Sequence, residues 1–279
     1  MTDPARYSDL HIHTDLCDGG DTPEAMAERA QALGLRTLGF SGHSPTDFGC
    51  EWELRDLDGY VGRINSLRGR VRELNILCGL EYDSGWTLVG RERFDYIIGS
   101  VHYIPTPDGR RVPIDESREI TAECIERDFG GSSDRFAEAY FEELASMVAR
   151  VRPDIVGHLD LIEKFNVDGG MPDGSSSAYR RAAIGALDAA IDCGSVVELN
   201  LGAILRARRG RRDIRPCAYP SELLLRRLLE RGGAPILSSD AHRAEDIAGG
   251  FDEALGLLRT IGFREITVHD GKKFVRKSI

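Results

Sequence analysis

Short apolar runs alternate with longer amphipathic segments along almost the whole chain. The pattern predicts strands at 7–13, 36–40, 75–80, 94–101, 154–158, 195–200 and 234–239, with a final short strand at 265–268. Helical spacing of apolar residues predicts helices at 23–34, 54–73, 134–150, 176–192, 220–231 and 250–261. This strand-then-helix order favours parallel strands with crossover helices. About seven such units favour a distorted α/β barrel over an open sheet.

Two stretches interrupt this rhythm. Residues 103–133 contain Pro105, Pro107 and Pro113, whereas residues 201–219 are rich in arginine. Both stretches follow predicted strand ends, so they are expected to be long loops that lie over the catalytic face. Because the chain contains no repeat, low-complexity tract or linker, residues 1–279 are predicted to form a single domain.

Composition and charge narrow the class of protein. The chain is 41% hydrophobic and 29% charged, which is ordinary for a globular protein, and its length allows one large core. A net charge of −10 argues against a general nucleic-acid or membrane binder, because both need a basic face. The first residues carry no apolar secretion signal, and the six cysteines form no Cys-x-x-Cys pair. A cytoplasmic protein with reduced thiols and no membrane span is therefore expected.

Six of the seven histidines follow the ends of predicted strands, and acidic residues recur beside them. The set comprises His11, His13, Asp18, His43, Glu81, His102, His158, Asp240 and His242. In an α/β barrel the carboxyl ends of the strands gather the catalytic groups. Side chains two residues apart share one side of a strand, so one metal ion can bind both imidazoles of His-x-His.

The mixture of imidazole and carboxylate groups suits zinc, iron or manganese. Nine candidate ligands exceed what one tetrahedral ion can use, so a site for two to three metal ions is predicted. His269, which has no companion motif, is expected to be structural or exposed.

The order of these motifs resembles the PHP (polymerase and histidinol phosphatase) superfamily over nearly the whole chain. The resemblance rests on Ser-Asp-Leu-His-Ile-His, Gly-Phe-Ser-Gly-His-Ser-Pro, Gly-Leu-Glu-Tyr, Gly-Ser-Val-His-Tyr-Ile, Val-Gly-His-Leu-Asp-Leu-Ile and Ser-Ser-Asp-Ala-His. Three details look most like the stand-alone histidinol-phosphate phosphatases: His43-Ser-Pro, Ser-Val-His102-Tyr-Ile, and Leu199-Asn200 leading to Arg206. The resemblance implies a distorted (β/α)7 TIM-like barrel whose trinuclear centre is held by the nine residues. It also implies hydrolysis of L-histidinol phosphate to L-histidinol and phosphate in histidine biosynthesis.

A mechanism follows for such a site. A hydroxide shared between the metal ions attacks phosphorus, and the cations offset charge on the phosphoryl oxygens. The resemblance implies phosphate contacts from Arg206 and Lys164, and His43 is placed beside the substrate. Asp240, His242 and Arg206 are predicted to act in catalysis, with Asp240 or a histidine supplying the proton for the leaving alkoxide. The residues 201–205 depart from the wording usual in the family.

Three other readings remain. A PHP-type enzyme can act on nucleotides or nucleic-acid ends, although the acidic charge and the 103–133 insertion favour a small phosphomonoester. A non-catalytic PHP module usually loses ligands, whereas this chain keeps the full set. An amidohydrolase also begins with His-x-His on a barrel, but it normally needs a lysine or histidine after a middle strand and a lone final aspartate.

Overall fold

The computed structural model describes residues 7–279 and contains strands and helices in alternation. The strands are β1 (Ser8–Asp9), β2 (Thr37–Phe40), β3 (Asn75–Asp83), β4 (Tyr96–Ser100), β5 (Tyr103–Pro105), β6 (Arg111–Pro113), β7 (Ile155–Val156), β8 (Val196–Asn200), β9 (Ile236–Ser238), β10 (Glu265–His269) and β11 (Phe274–Ser278). The helices are α1 (Pro23–Leu33), α2 (Leu57–Arg70), α3 (Arg118–Phe129), α4 (Ser133–Val151), α5 (Ser177–Asp192), α6 (Gly202–Arg208), α7 (Glu222–Glu230) and α8 (Phe251–Ile261).

Parallel strands form the centre of the molecule. Within residues 7–279, one sheet has the order β1-β2-β3-β4-β7-β8-β9-β10-β11, and only β11 pairs antiparallel. At their carboxyl ends β1 and β9 also meet. The His13 N–H donates to the Ala241 carbonyl over 2.9 Å, and the Ala241 N–H donates to the His11 carbonyl over 3.1 Å. This is an isolated bridge and not a continuous ladder. The fold is therefore a distorted, TIM-like α/β barrel.

Local chemistry explains where the helices begin and end. The Thr22 hydroxyl accepts a hydrogen bond from the Ala25 N–H over 3.2 Å, and Pro23 occupies the first turn of α1. Gly34 ends the helix in the left-handed conformation, with φ of 79°. The predicted helices α1, α2, α4, α5, α7 and α8 are confirmed, with ends that differ from the prediction by a few residues.

Tyr96 fills much of the space inside the ring of strands. Its ring belongs to a small interior core with Leu10, Leu77, Ile98, Ile155 and Ile236, separate from the larger core between the sheet and the helices. The Tyr96 hydroxyl donates its proton to the Leu10 carbonyl at 2.5 Å, and the Phe40 carbonyl at 3.1 Å shares this proton as a longer contact, so the hydroxyl links the ends of β1 and β2. Gly39 and Gly79 leave room for this ring, because a Cβ at either position would collide with it.

Three sequence predictions are wrong in detail. Residues 103–133 contain the β5–β6 hairpin and helix α3, and residues 201–219 contain helix α6, although both stretches were expected to be loops. Ser117 and Gly130 cap α3, and the prolines that suggested a loop all lie before this helix. The first strand was predicted over 7–13 but extends only over Ser8–Asp9, with a bridge at Ile12. Strand β11 is an addition, since its mostly exposed residues give no apolar signal.

The structure bears on some of the features from which the location of the protein was predicted. Over the described part of the chain, the helices are all too short or too polar to traverse a bilayer. All six cysteines are free thiols, as expected. The start of the chain, on which the prediction about a secretion signal depends, lies outside the described residues.

We expect Gly79→Ala to lower the free energy of unfolding by about 1–3 kcal/mol, because the new methyl group overlaps the Tyr96 ring. Urea unfolding monitored by circular dichroism measures this change. The matched control is Gly256→Ala in α8, where nothing lies within 4 Å of the new Cβ, and a small gain of about 0.5–1 kcal/mol is expected there. In a Tyr96→Leu background the cost of Gly79→Ala should shrink; an unchanged cost would contradict the packing argument.

Candidate metal centre

Each side chain predicted as a metal ligand comes from a strand end or the loop beyond it. His11 and His13 follow β1, His43 follows β2, His102 follows β4 and His158 follows β7. Two more, Asp240 and His242, follow β9, whereas Glu81 lies inside β3 and Asp18 lies in the loop before α1. Because the strands are parallel, all these positions meet at one end of the barrel.

Potential ligand atoms converge in four groups. Their members are His13, Asp18, His43 and His242; His11, His13 and Asp240; His11, Glu81 and His158; and His43, Glu81 and His102. Within each group the ligand atoms lie within 4.8 Å of one another. Together the groups contain all nine predicted residues. Most of these side chains are buried, but Asp18 and His242 are 25% and 24% exposed.

Glu81 is at the centre of the cluster. Its Oε2 atom lies 3.0 Å from His11 Nε2, 3.1 Å from His43 Nδ1 and 3.3 Å from His13 Nε2. The other oxygen, Oε1, lies 2.9 Å from His158 Nε2. One carboxylate therefore contacts four imidazoles from three strand ends, those of β1, β2 and β7, which places it where several cations could be held.

The residues present fit metal ions, as their unpaired atoms indicate. Among the described residues, His11 Nε2, His13 Nε2, His43 Nδ1 and Glu81 Oε2 are buried and make no hydrogen bond, although they face one another. Burying polar atoms without partners costs free energy, and cations coordinated by these lone pairs would remove that cost. The arrangement is suited to N/O coordination of transition metals.

Two further carboxylates orient the histidines from behind. Glu198 Oε1 lies 2.6 Å from His11 Nδ1, and Asp83 Oδ2 lies 2.8 Å from His102 Nδ1. A carboxylate that accepts a hydrogen bond from Nδ1–H leaves Nε2 free to bind a metal ion and makes that nitrogen a stronger metal ligand. The sequence analysis missed both residues. The signal was present, because Asp83 follows Glu81 by two residues, and Glu198 is an acid inside the apolar strand β8.

The side chain of Asp240 is directed into the cluster by a backbone conformation that is uncommon for residues other than glycine. Its φ is 51°, a left-handed conformation that aspartate tolerates better than most residues. Asp9 supports this turn, since its buried carboxylate accepts hydrogen bonds from the Ser239 N–H at 3.1 Å, from the Ser239 hydroxyl at 2.5 Å and from the Ala248 N–H at 2.9 Å. A Cβ at Gly202 would lie only 2.6 Å from Asp240 Oδ2, so this position needs glycine.

Arg206, in helix α6, extends over the same carboxylate. Its Nη1 and Nη2 atoms lie 3.3 and 3.5 Å from the two Asp240 oxygens, and Nη2 lies 3.4 Å from both ring nitrogens of His242. The side chain is 31% exposed and lines a cavity of about 230 Å³ above the cluster. The predicted phosphate contact therefore faces the same cavity as the candidate ligands.

Lys164 also lines this cavity, but its ammonium is directed to Asp115. Nζ donates to the Asp115 carbonyl oxygen at 2.7 Å and lies 3.4 Å from the Asp115 carboxylate. Its charge is therefore partly matched by a carboxylate that the sequence analysis did not single out. Asp115 lies between β6 and α3, inside the stretch that was expected to be a loop.

The electrostatics of the cluster keep its acids ionised. Burial alone would raise the pKa of Glu81, but His11, His43 and His102 hold it well below its ordinary value. Burial likewise opposes ionisation of Asp240, and Arg206 and His11 outweigh it, so the pKa of Asp240 is also far below normal. Burial lowers the pKa of Lys164.

Two residues outside the nine differ in their position relative to the cluster. His269 lies outside the four groups, where it packs edge-on against Phe274 and accepts a hydrogen bond from the Gly271 N–H. Cys17 contacts one of the candidate ligands. Its Sγ lies 3.7 Å from His13 Nδ1, because the tight turn after His13 brings it back toward that imidazole.

Known proteins resemble this chain over nearly its full length. A Deinococcus radiodurans protein named "Probable histidinol-phosphatase" is 31% identical, with 95% of this chain and 97% of that protein covered. A crystal structure from Listeria monocytogenes, provisionally named a histidinol phosphatase, has a TM-score of 0.74 at 22% identity and covers 88% of this chain and 99% of that one. A Lactococcus lactis histidinol phosphate phosphatase, crystallised with zinc, L-histidinol and phosphate, has a TM-score of 0.68 at 21% identity and covers 96% and 98%.

The sequence also matches the PHP domain family over residues 9–201, which include seven of the nine clustered residues. This match, the full-length similarity to the Deinococcus protein and the clustered histidines and acids agree with one another. The chain belongs to the PHP domain family.

Proposed function

We propose that this protein is a metal-dependent phosphomonoesterase that hydrolyses L-histidinol phosphate to L-histidinol and phosphate. The observation that carries the chemistry is the convergence of nine imidazole and carboxylate side chains beneath a small cavity lined by Arg206 and Lys164. The substrate is supported by the name of the Deinococcus relative and by the molecules bound to the Lactococcus protein.

The nine side chains are proposed to hold two to three ions of zinc, iron or manganese. The four groups of potential ligands overlap, because Glu81 belongs both to the group with His11 and His158 and to the group with His43 and His102, and His13 belongs both to the group with His11 and Asp240 and to the group with Asp18, His43 and His242. Bound cations would lower the pKa of a water molecule and offset negative charge on the phosphoryl oxygens.

Arg206 is proposed to hold the phosphate. A guanidinium group has five N–H donors in a planar fork, so contact with Asp240 leaves donors free to bind phosphoryl oxygens in the cavity. His43, which also lines the cavity, would approach the same oxygens. Lys164 would contribute positive charge, although its ammonium already donates to Asp115.

The leaving alkoxide needs a proton as the P–O bond breaks. Asp240 and His242 are the predicted donors, and they differ in their surroundings. Because Arg206 and His11 keep Asp240 ionised against the effect of burial, Asp240 is better suited to hold a cation than to supply a proton. Burial lowers the pKa of His242, but its ring is 24% exposed and 3.0 Å from Asp18. It could therefore exchange protons with solvent, provided that the ring nitrogen carrying the proton is not bound to a cation.

The alternative substrates fit the cavity less well. Nucleic-acid ends need a groove that continues along the backbone of the polymer, usually with a basic lining. Here the cavity is about 230 Å³, and its lining includes Asp115 as well as the candidate ligands. A non-catalytic module would have no need for the complete set of nine side chains.

The first test is metal content. We expect the purified protein to bind roughly two to three equivalents of transition metal and Glu81→Gln to bind fewer, because Glu81 belongs to two of the four groups of potential ligands. Elemental analysis gives the stoichiometry, and the rise of Tm on adding metal gives a readout independent of activity. His269→Gln, outside the cluster, is the matched control and should bind the same amount as the wild type. Equal metal content in Glu81→Gln and wild type would contradict the assignment.

The second test is substrate choice. We expect phosphate release to be fastest with L-histidinol phosphate in a screen that also includes other amino-alcohol phosphates, nucleotides and short oligonucleotides, and chelation should abolish it. Rapid hydrolysis of nucleotides without hydrolysis of L-histidinol phosphate would show that the proposed substrate is wrong, but it would not contradict the proposed role of metal ions. Full activity after complete removal of metal would refute the mechanism.

The third test concerns Arg206. We expect Arg206→Met to lower kcat/KM by about 10²- to 10³-fold, since a donor to the developing phosphoryl charge is lost, and Arg206→Lys to recover only part of this. Metal content measured in parallel separates loss of substrate contact from loss of ions. Arg208→Met is the control on the same helix, because Arg208 is 51% exposed and pairs with Glu253. Unchanged kcat/KM in Arg206→Met would remove this residue from the site.

A further inference from the structure

We propose that the carboxylate of Asp115 selects substrates with a positive charge close to the phosphate, by binding the ammonium group of the alcohol portion. This inference rests on the proposed phosphomonoesterase function and adds the residue that decides which phosphomonoester is preferred. It is argued from the position, the contacts and the charge of Asp115.

Asp115 differs in position from the other acids of the cavity. The lining contains four carboxylates within the described residues: Asp18, Glu81, Asp115 and Asp240. Three of them belong to the groups of potential metal ligands, and Asp115 does not. Its charge is therefore not needed to bind cations, although it faces the same 230 Å³ space.

The contacts of Asp115 hold its backbone firmly and leave part of its carboxylate available. The Lys164 ammonium donates to the Asp115 carbonyl at 2.7 Å, and the preceding Ile114 N–H donates to the His102 carbonyl at 2.9 Å. Lys164 Nζ is 3.4 Å from Oδ2, whereas Oδ1 has no hydrogen bond to any residue in 7–279. The side chain is 30% exposed, so Oδ1 is open to a molecule in the cavity.

The charge of Asp115 is stable. Burial alone would raise the pKa of Asp115, but the Lys164 ammonium beside it, 3.4 Å from Oδ2, lowers that pKa below the ordinary value, so the carboxylate is an anion at neutral pH. Since Lys164 contacts one oxygen at 3.4 Å, the carboxylate can accept a second cationic donor on the other oxygen.

A phosphate ester of an amino alcohol matches this distribution of charge. Its phosphate is directed to the candidate metal ligands and Arg206, while its ammonium, on the carbon next to the ester carbon, needs an anion at the side of the cavity. In L-histidinol phosphate the ammonium has this position. A nucleotide has no cation at the corresponding position, so it would leave Asp115 without a partner and bring more negative charge close to it. Asp115 would therefore both attract the first class and disfavour the second.

The test compares two substrates that differ only in the ammonium group. L-histidinol phosphate is assayed beside 3-(imidazol-4-yl)propyl phosphate, in which hydrogen replaces the amino group. We expect Asp115→Asn to lower kcat/KM for L-histidinol phosphate by about 10- to 100-fold, mainly through KM, because a hydrogen bond between two charged groups is lost. For the analogue without the amino group, kcat/KM should be nearly unchanged.

Two further variants complete the design. Asp108→Asn removes the same charge from the exposed β5–β6 hairpin, away from the cavity, and should leave both substrates unaffected. Asp115→Glu keeps the charge and should retain a preference for the substrate with the ammonium group. If Asp115→Asn fails to fold, the preference retained by Asp115→Glu still tests the inference.

Equal losses for the two substrates in Asp115→Asn would overturn the inference, since a group that only supports Lys164 or the fold affects both alike. A wild-type enzyme that does not prefer the substrate with the ammonium group would overturn it as well. If the wild type hydrolyses neither compound but hydrolyses nucleotides, the proposed substrate itself is wrong, a result that differs from equal losses.

Discussion

The structure depends on one constraint: the buried imidazoles and carboxylates at the end of the barrel need partners for their charges and for their lone pairs. Glu81 lies at the centre of this constraint, within 3.3 Å of imidazole nitrogens from His11, His13, His43 and His158. In an apolar interior such a set would cost several kcal/mol per unpaired group. Cations bound to these lone pairs would provide the match, so the same atoms that make the interior costly are suited to the proposed metal-dependent chemistry.

The barrel and the buried acids around its carboxyl end hold the candidate ligands in position. Its interior is filled at one level by Tyr96, whose hydroxyl links the β1 and β2 segments, and the ligand candidates lie at the carboxyl ends of the strands. Glu198 and Asp83 fix which ring nitrogen His11 and His102 direct into the cluster. Asp9 has a related role, since its three hydrogen bonds hold the turn that leads into Asp240. The nine clustered side chains are therefore held in place by a second set of buried carboxylates, Glu198, Asp83 and Asp9.

The cavity above the cluster adds a second pattern of charge. Arg206 and Lys164 were predicted as phosphate contacts, and both line the cavity, but they have different partners. Arg206 lies on Asp240, whereas Lys164 donates to Asp115. An anion placed beside a site for anionic phosphate is unfavourable unless it faces a cationic part of the ligand. This arrangement links the position of Asp115 to the chemical class of the alcohol.

The strand-and-helix rhythm, the barrel class and the nine clustered residues were all predictable from the sequence. Parallel strands bury both faces, so they appear as apolar runs, and the residue after each run must lie at the common end of the barrel. The supporting carboxylates Glu198 and Asp83, and the cavity carboxylate Asp115, were not predicted. Their roles depend on contacts between residues distant in the chain, such as His11 with Glu198 or Lys164 with Asp115, and no local period encodes those distances. The periodicity of the sequence thus determined which side chains face the site. Tertiary packing decided which of these side chains contact one another, because hydrogen bonds and ion pairs join residues that are a few ångströms apart in space but far apart in the sequence.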